Sequence, residues 1–316
     1  MNQTKNNTLL DSARQIRFAF FGTSHIAVYV LDELEKAGFL PALVVTMPDR
    51  KSGRGLVPQQ SEVKQWATVR NIEVMQPEKL DSSFCSLFTV HCFLLCIVVD
   101  YGKILPRTVL GVPAHGFLNV HPSLLPRLRG PSPMRSAILH DERETGVTIM
   151  RVDEEMDHGP IVAQKKVPVP GWSTSASPHR DGPPKNSELE QLLVPEGGRL
   201  LAQILPEYVA GNIEPREQNH DLATYSEKFS KADGLLDLDD DAYKNLLKIK
   251  AFEGWPGTYA FFERPSTHSG QATKKIRVQI LDAHLDADNL VIDTVKPEGR
   301  REMPYADFIR SGAQHA

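Results

Sequence analysis

The chain's most constraining feature is a β-rich run, Ile16-Arg17-Phe18-Ala19-Phe20-Phe21, that ends at Gly22-Thr23-Ser24 and gives way to a helical period. Val28, Leu31 and Leu34 recur at that period between Ile26 and Ala37, and Thr23 or Ser24 can cap the helix. Strand, tight turn and amphipathic helix make half of a βαβ unit, and the pattern repeats. Leu43-Val44-Val45-Thr46 predicts a strand, Met47 to Gln60 a loop rich in Pro, Gly and basic residues, and Val63 to Val69 a helix. Ile72-Glu73-Val74, Leu94 to Val99 and Phe117-Leu118-Asn119-Val120 predict further strands, the last stopped by His121-Pro122. Strands alternating with helices predict an α/β fold: a Rossmann-like, doubly wound, mostly parallel sheet.

Arg135 to His140 continues as a helix. Val147 to Val152 then alternates like a strand with one wet face, and Ile161 to Val169 follows without a helix between. An antiparallel addition at the sheet edge is expected. Pro168 to Ser187 reads as an exposed loop, Pro195 to Ala210 as a helix, and the polar Gly211 to Tyr225 as a linker. From Ser226 onward short runs such as Ile276-Val278-Ile280 and Leu290-Val291-Ile292 predict a smaller β-rich domain. The expected division is a polar tail at 1–15, a catalytic domain at 16–210, a linker at 211–225 and a C-terminal domain at 226–316.

Composition narrows the function classes. Charged residues make up 24% and mean hydropathy is -0.31, ordinary globular values for a 316-residue chain. The longest apolar stretch, Cys92 to Val99, is too short to span a bilayer, and the polar N-terminus lacks a secretory apolar core. A soluble cytoplasmic protein is expected. Cys85, Cys92 and Cys96 contain no CxxC pair and are expected in the core, so neither a disulfide framework nor a zinc site is indicated. A net charge of -4 argues against non-specific coating of nucleic acid but leaves room for one local basic contact.

Three segments can carry chemistry. Phe21-Gly22-Thr23-Ser24 has one glycine where a dinucleotide fingerprint needs three, so the turn is structural or touches a substrate without implying NAD. Asn119 and His121 stand at i and i+2 of a strand and share a side, at the carboxyl end where open α/β sheets collect functional groups. An amide donor beside a histidine can cradle an oxyanion and move a proton; a turn-capping histidine is the plainer alternative. Asp153-Glu154-Glu155-Met156-Asp157 is an acidic loop after a strand. One of its carboxylates could fix the tautomer or charge of His121, or the loop is a solvated turn. No GxSxG elbow, HExxH pair or P-loop is present.

Two motifs bring these segments together. Asn119-Val120-His121-Pro122-Ser123-Leu124-Leu125-Pro126, with Arg129-Gly130 and Pro133, and Glu144-Thr145-Gly146-Val147-Thr148-Ile149-Met150, with Met156-Asp157 and Gly159, resemble the signature of the folate-dependent formyltransferase family. Pro48-Asp49-Arg50, Gly53-Arg54-Gly55 and Val63-Lys64 resemble the loop its tRNA-acting branch uses on the substrate. Ala223-Thr224-Tyr225 with Lys228, Trp255-Pro256-Gly257 and Pro297 to Arg301 with Asp307-Phe308 resemble the later parts of that branch. The resemblance implies the formyltransferase fold with an OB-like C-terminal domain. It also implies formyl transfer from 10-formyltetrahydrofolate to the α-amine of methionyl-initiator tRNA, by a monomer without a metal or a membrane partner.

By the same resemblance Asn119, His121 and Asp157 are the catalytic trio. The folate pocket maps to Val98, Val99, Asp100, Tyr101 and Gly102, to an apolar wall at Ile104 and Leu105, and to the loop of Asp153, Glu154 and Glu155. Substrate contacts map to Thr23 and Ser24, to Arg50, Lys51 and Arg54 against the acceptor stem, and to Ser123, Leu124, Leu125 and Pro126. Four departures stand against the family pattern. Asp100 replaces a small residue, Leu56-Val57 replaces frequent lysines, Gly171 to Leu193 lacks the usual helix pattern, and acidic residues outnumber basic ones after Ser226. They leave two alternatives, a sugar-nucleotide amine N-formyltransferase and a catalytically silent folate- or RNA-binding relative.

Overall fold

The structure, a computed structural model, describes residues 16–52, 57–172, 182–265 and 273–315. One compact unit takes in the chain up to Gly130, Gly146–Val167 and Gln191–Tyr225; the second takes in Pro131–Thr145, Pro168–Glu190 and the chain from Ser226.

The first unit is built on β1 (Phe18–Gly22), whose five residues are all buried, as a strand covered on both faces must be. It turns at Gly22 into α1 (His25–Lys36), where Ser24 Oγ accepts from the Ile26 amide at 3.3 Å as an N-cap. A side chain at Gly22 would place its Cβ 2.7 Å from Ala27 Cβ and 3.0 Å from the Val99 carbonyl. Glycine is therefore what lets α1 close onto the sheet here. Next come β2 (Leu43–Val45), β3 (Arg50–Ser52), β4 (Val57–Gln59), α2 (Glu62–Val69), β5 (Glu73–Met75) and α3 (Ser82–Thr89). After them come β6 (Leu95–Val99), α4 (Arg107–Leu110) and β7 (Phe117–His121).

β2 and β5 stack parallel on one side of β1, and β6 and β7 on the other. The order thus reverses between β1 and β6, which makes their carboxyl ends the topological switch point. After α5 (Pro133–Leu139), β8 (Thr145–Arg151) runs antiparallel to β7, pairing Asn119 with Met150 and His121 with Thr148. β9 (Ile161–Val167) closes the seven-stranded sheet, with the Arg151 amide donating to the Pro160 carbonyl. Phe21 anchors one face: Phe84, Phe88, Tyr101 and Phe117 meet it edge-on at 5.2–6.4 Å between centroids. No helix among the described residues is long and apolar enough to cross a membrane.

The second unit carries a small antiparallel sheet of β10 (Thr258–Pro265), β11 (Thr273–Asp286), β12 (Asn289–Pro297), β13 (Met303–Pro304) and β14 (Gln314–His315). Phe262, Val278, Ile280 and Phe308 pack with Leu246 and Ile249 of a helix at Ala242–Ala251 as its core. Burial pushes the Asp282 carboxyl up, but hydrogen bonds from Lys185 (2.8 Å) and Lys250 (2.7 Å), with their charges, hold it below the usual carboxylate range.

Several expectations need correcting. The loop from Met47 to Gln60 contains the β3–β4 hairpin. α3 and α4 were not anticipated; they have eight and four residues, too few to display a helical period. β8 has no wet face along Thr145–Met150: all six residues are buried. Behind it lies α6 (Asn186–Val209), which begins well before Pro195 and holds Pro195 and Pro206 within it. Its Gly197 approaches Val120 and Val147 so closely that a Cβ would stand 2.5 Å from Val120 Cγ1. The expected exposed loop from Pro168 to Ser187 has buried ends: Val169 and Trp172 are covered, and Trp172 Nε1 donates to Asp141 at 2.9 Å. The rest of that expectation, at 173–181, lies outside the described residues. Of the cysteines only Cys96 is fully buried, Cys85 is partly covered and Cys92 is exposed. Gly211 to Tyr225 packs within the first unit. Arg216 exchanges two backbone hydrogen bonds with Ile161 beside β9, and the Thr224 carbonyl accepts from the Arg129 amide.

Candidate active site

β7 ends in the two residues that share a side, Asn119 and His121, and the chain then enters a turn that is tied down from within. Thr148 Oγ1 of β8 donates to the Ser123 carbonyl at 2.7 Å and accepts from the Leu125 amide and from Gln164 Nε2. Ser123 Oγ donates to the Arg127 carbonyl at 2.7 Å. Ser123 and Leu125 are buried supports of the loop; Leu124 and Pro126 are half-buried.

His121 is 4% exposed, and its Nε2 lies 2.9 Å from the Leu128 carbonyl. A carbonyl can only accept, so Nε2 carries the proton and Nδ1 is the nitrogen left for chemistry. The tautomer is thus set by Leu128, not by the acidic loop. That loop supplies Asp157, whose Oδ2 stands 3.7 Å from His121 Nδ1, beyond a direct hydrogen bond. The carboxylate is itself held: Oδ2 accepts from the Gly130 amide at 2.7 Å, and Oδ1 from Asn119 Nδ2 at 3.3 Å. Asp157 adopts φ +50°, the left-handed region, a conformation that a non-glycine residue keeps only when its surroundings enforce it.

The enforcing contacts come from residues that sequence reasoning did not single out. Gln218 is buried and donates from Nε2 to the carbonyls of Asp157 (2.9 Å) and Gly159 (2.8 Å). Its Oε1 accepts from Arg129 Nε at 3.1 Å and Nη2 at 2.7 Å. Arg129 Nη2 also reaches His220 Nδ1, whose ring stacks on His158 at 4.1 Å. Gln218 stands in a polar stretch, and no local pattern marks it as buried.

The switch point beside this cluster is a crevice of about 460 Å³. Thr23, Ser24, Met47, Arg50, Asp100, Tyr101 and Gly102 are among its lining residues. Thr23 Oγ1 donates to the Tyr101 carbonyl at 2.8 Å, and Ser24 Oγ donates to the Asp100 carboxylate. Asp100 therefore binds the helix cap as well as facing the crevice. The Tyr101 hydroxyl is buried without a partner among the described residues, and burial pushes its pKa up to about 12. Lys51 lies on β3 opposite Pro58, and Arg54 lies outside the described residues.

Of the other residues mapped to the folate pocket, Val99 and Leu105 are buried and Val98 packs half-buried against the same apolar cluster. Ile104 is 89% exposed. Asp153 accepts from the Glu155 amide and pairs with His158 at 2.7 Å, while exposed Glu154 pairs with Arg107. Among the described residues, no group of three or more His, Cys, Asp or Glu is placed to hold a metal ion.

Comparison with known proteins gives this geometry its context. A family profile described as formyl transferase matches residues 15–180. The chain is 36% identical to a methionyl-tRNA formyltransferase of Thermus thermophilus, over 93% of this chain and 96% of that protein. It is 38% identical to one of Chloroflexus aurantiacus, over 94% of this chain and all of the relative. The fold is similar to that of a methionyl-tRNA formyltransferase from Clostridium thermocellum, with a TM-score of 0.53, 14% identity and coverage of 89% and 98% of the two chains. With the doubly wound sheet, and with Asn119, His121 and Asp157 gathered at the end of β7, these matches show that the chain belongs to the formyltransferase family.

Proposed function

We propose that this enzyme transfers a formyl group from 10-formyltetrahydrofolate to the α-amine of methionyl-initiator tRNA. The observation that carries the reading is the meeting of Asn119, His121 and Asp157 at the carboxyl end of β7. The near full-length match to methionyl-tRNA formyltransferases supports the choice of acceptor.

The donor supplies a formyl group on a nitrogen that can depart. A pterin ring needs an apolar wall and main-chain polar atoms, and the residues present fit. Val98 and Val152 stay partly exposed on the cluster that buries Leu105 and Val109, and Gly102 can line the crevice only with main-chain atoms. Val98 to Gly102 and Asp153 to Glu155 would hold the donor, with Ile104 at its open edge.

The acceptor amine adds to the formyl carbon, negative charge gathers on the formyl oxygen, and the bond to the donor nitrogen breaks. The second hydrogen of Asn119 Nδ2 and a proton on His121 Nδ1 stabilise that oxygen. Asp157, fixed by the Gly130 amide, balances the charge on His121 and takes the proton from the attacking amine, to be passed to the departing nitrogen. The gap between His121 Nδ1 and Asp157 leaves room for that exchange. Thr23, Ser24 and exposed Arg50 line the crevice on the acceptor side, and we assign Arg50, Lys51 and Arg54 to phosphates of the acceptor stem. The enzyme acts as a monomer.

The test incubates purified protein with 10-formyltetrahydrofolate and either methionyl-initiator tRNA or a dTDP-linked amino sugar. Formyl-methionyl-tRNA as the product, lost with His121→Ala, is the expected result. Formylation of the sugar alone would reassign the acceptor, and no transfer to either would remove the activity.

A further inference from the structure

We propose that Gln218 is a positioning residue for Asp157: it fixes the catalytic carboxylate from the main-chain side and makes that geometry dependent on the segment that follows the sheet. The inference rests on the reading of Asp157 as a participant in formyl transfer.

A glutamine amide has two donor hydrogens and two acceptor lone pairs. All four are used here, on four atoms of two segments. The donors go to the carbonyls of Asp157 and Gly159, and the acceptor takes Nε and Nη2 of Arg129. Asp157 holds a left-handed backbone, φ +50°, and its own carbonyl is the first of those two anchors. Arg129 immediately precedes Gly130, whose amide grips the Asp157 carboxylate at 2.7 Å. One buried side chain thus ties the residue that presents the carboxylate to Arg129, the neighbour of the residue that binds it.

Gln218 is itself aligned from outside. Arg216 is paired with Ile161 beside β9, and Thr224 accepts from the Arg129 amide and bonds the Leu128 amide at 2.9 Å through its hydroxyl. Leu128 is also the residue whose carbonyl sets the His121 tautomer. The segment from Arg216 to Thr224 therefore fixes both partners of the His121–Asp157 pair.

The amide chemistry gives a sharp probe. Gln218→Glu keeps the shape and still accepts from Arg129, gaining an ion pair with a buried guanidinium. It loses both donors and sets a carboxylate oxygen against two carbonyls. Packing is conserved while the anchoring of Asp157 is removed.

The experiment is a cycle of four proteins: wild type, Gln218→Glu, Asp157→Asn and the double variant. Each is assayed for formylation of methionyl-initiator tRNA with kcat and KM separated, and for thermal unfolding. Gln218→Glu should lower kcat by about 10–100-fold, the usual scale for losing a residue that orients a catalytic group, with KM for the tRNA within about twofold. In the Asp157→Asn background the same change should cost less than about threefold, because its effect passes through the missing carboxylate. Equal losses in both backgrounds, or a Gln218→Glu kcat within about threefold of wild type, would overturn the assignment and leave Gln218 as scaffold. If the Glu variant does not fold, Gln218→Met is carried through the same cycle under the same criteria. A wild type without transfer would instead sink the reading of the whole site, and this inference with it.

Discussion

Gly197 sets two known effects against each other at the back of β7, the strand that carries Asn119 and His121. In a helix interior Gly→Ala ordinarily stabilises by about 1 kcal/mol. Here the new Cβ would stand 2.5 Å from Val120 Cγ1, with Val147 Cγ1 and Cβ at 3.7 and 3.8 Å behind it. Val120 is only 6% exposed and β-branched, so its rotamer cannot yield cheaply. Relief requires α6 or β7 to shift by about 1 Å, an overpacking that costs about 1–3 kcal/mol. Set against that gain, the strain should leave Gly197→Ala less stable by up to about 2 kcal/mol net in urea unfolding. Val120 lies between Asn119 and His121, so the strain falls on the strand that carries both, and kcat for formylation should drop about tenfold. Gly198→Ala, whose Cβ would meet Glu33 Cβ at 2.8 Å and Val30 Cα at 3.2 Å, should destabilise with kcat nearly unchanged. A Gly197→Ala protein about 1 kcal/mol more stable than wild type, with full kcat, would refute the reasoning.

Three further outcomes follow from single contacts. Thr148→Val removes the hydroxyl that serves Ser123, Leu125 and Gln164 and should cost about 2–3 kcal/mol, because buried partners lose their bonds while the volume stays the same; a loss under about 0.5 kcal/mol in urea melts would contradict that role. Tyr101→Phe deletes a buried hydroxyl with no partner among the described residues and should leave stability equal or up to about 1 kcal/mol higher; a clear loss would mean that the hydroxyl is hydrogen-bonded in solution. Asp282 is held below its unfolded-state pKa, so its contribution is present above about pH 4 and is lost as pH falls through its folded value. Wild type should therefore lose more stability than Asp282→Asn between about pH 5 and pH 3; parallel pH profiles would exclude the linkage.

The parallel half of the fold was legible because strands buried on both faces must be apolar throughout, as at Phe18–Gly22 and Leu95–Val99. Asn119 and His121 were legible from strand parity alone. Asp157 was not: the acidic loop offered several carboxylates, and only the resemblance chose among them. α6 was read short because Pro195 looks like the first position of a helix, while the glycines within it, Gly197 and Gly198, exist for close approach to Val120 and Val30. The wet face expected of β8 failed because a two-residue period does not report what covers the second face. Gln218 was invisible as a site residue, and Arg129 was read only as part of the motif that carries the resemblance. Their role lies in hydrogen bonds across 89 positions of sequence, and a buried glutamine has the same local signature as a solvated one.

The central claim is that the side chains at the end of β7 perform the transfer step. Its most direct measurement is the single-turnover rate of formyl transfer, with enzyme in excess over methionyl-initiator tRNA and 10-formyltetrahydrofolate saturating, for wild type and Asn119→Ala. Loss of an oxyanion donor predicts a transfer rate slower by about 10²–10³-fold at an unchanged tRNA dissociation constant. A transfer rate within about threefold of wild type would show that Asn119 and the cluster built around it are not where the chemistry occurs.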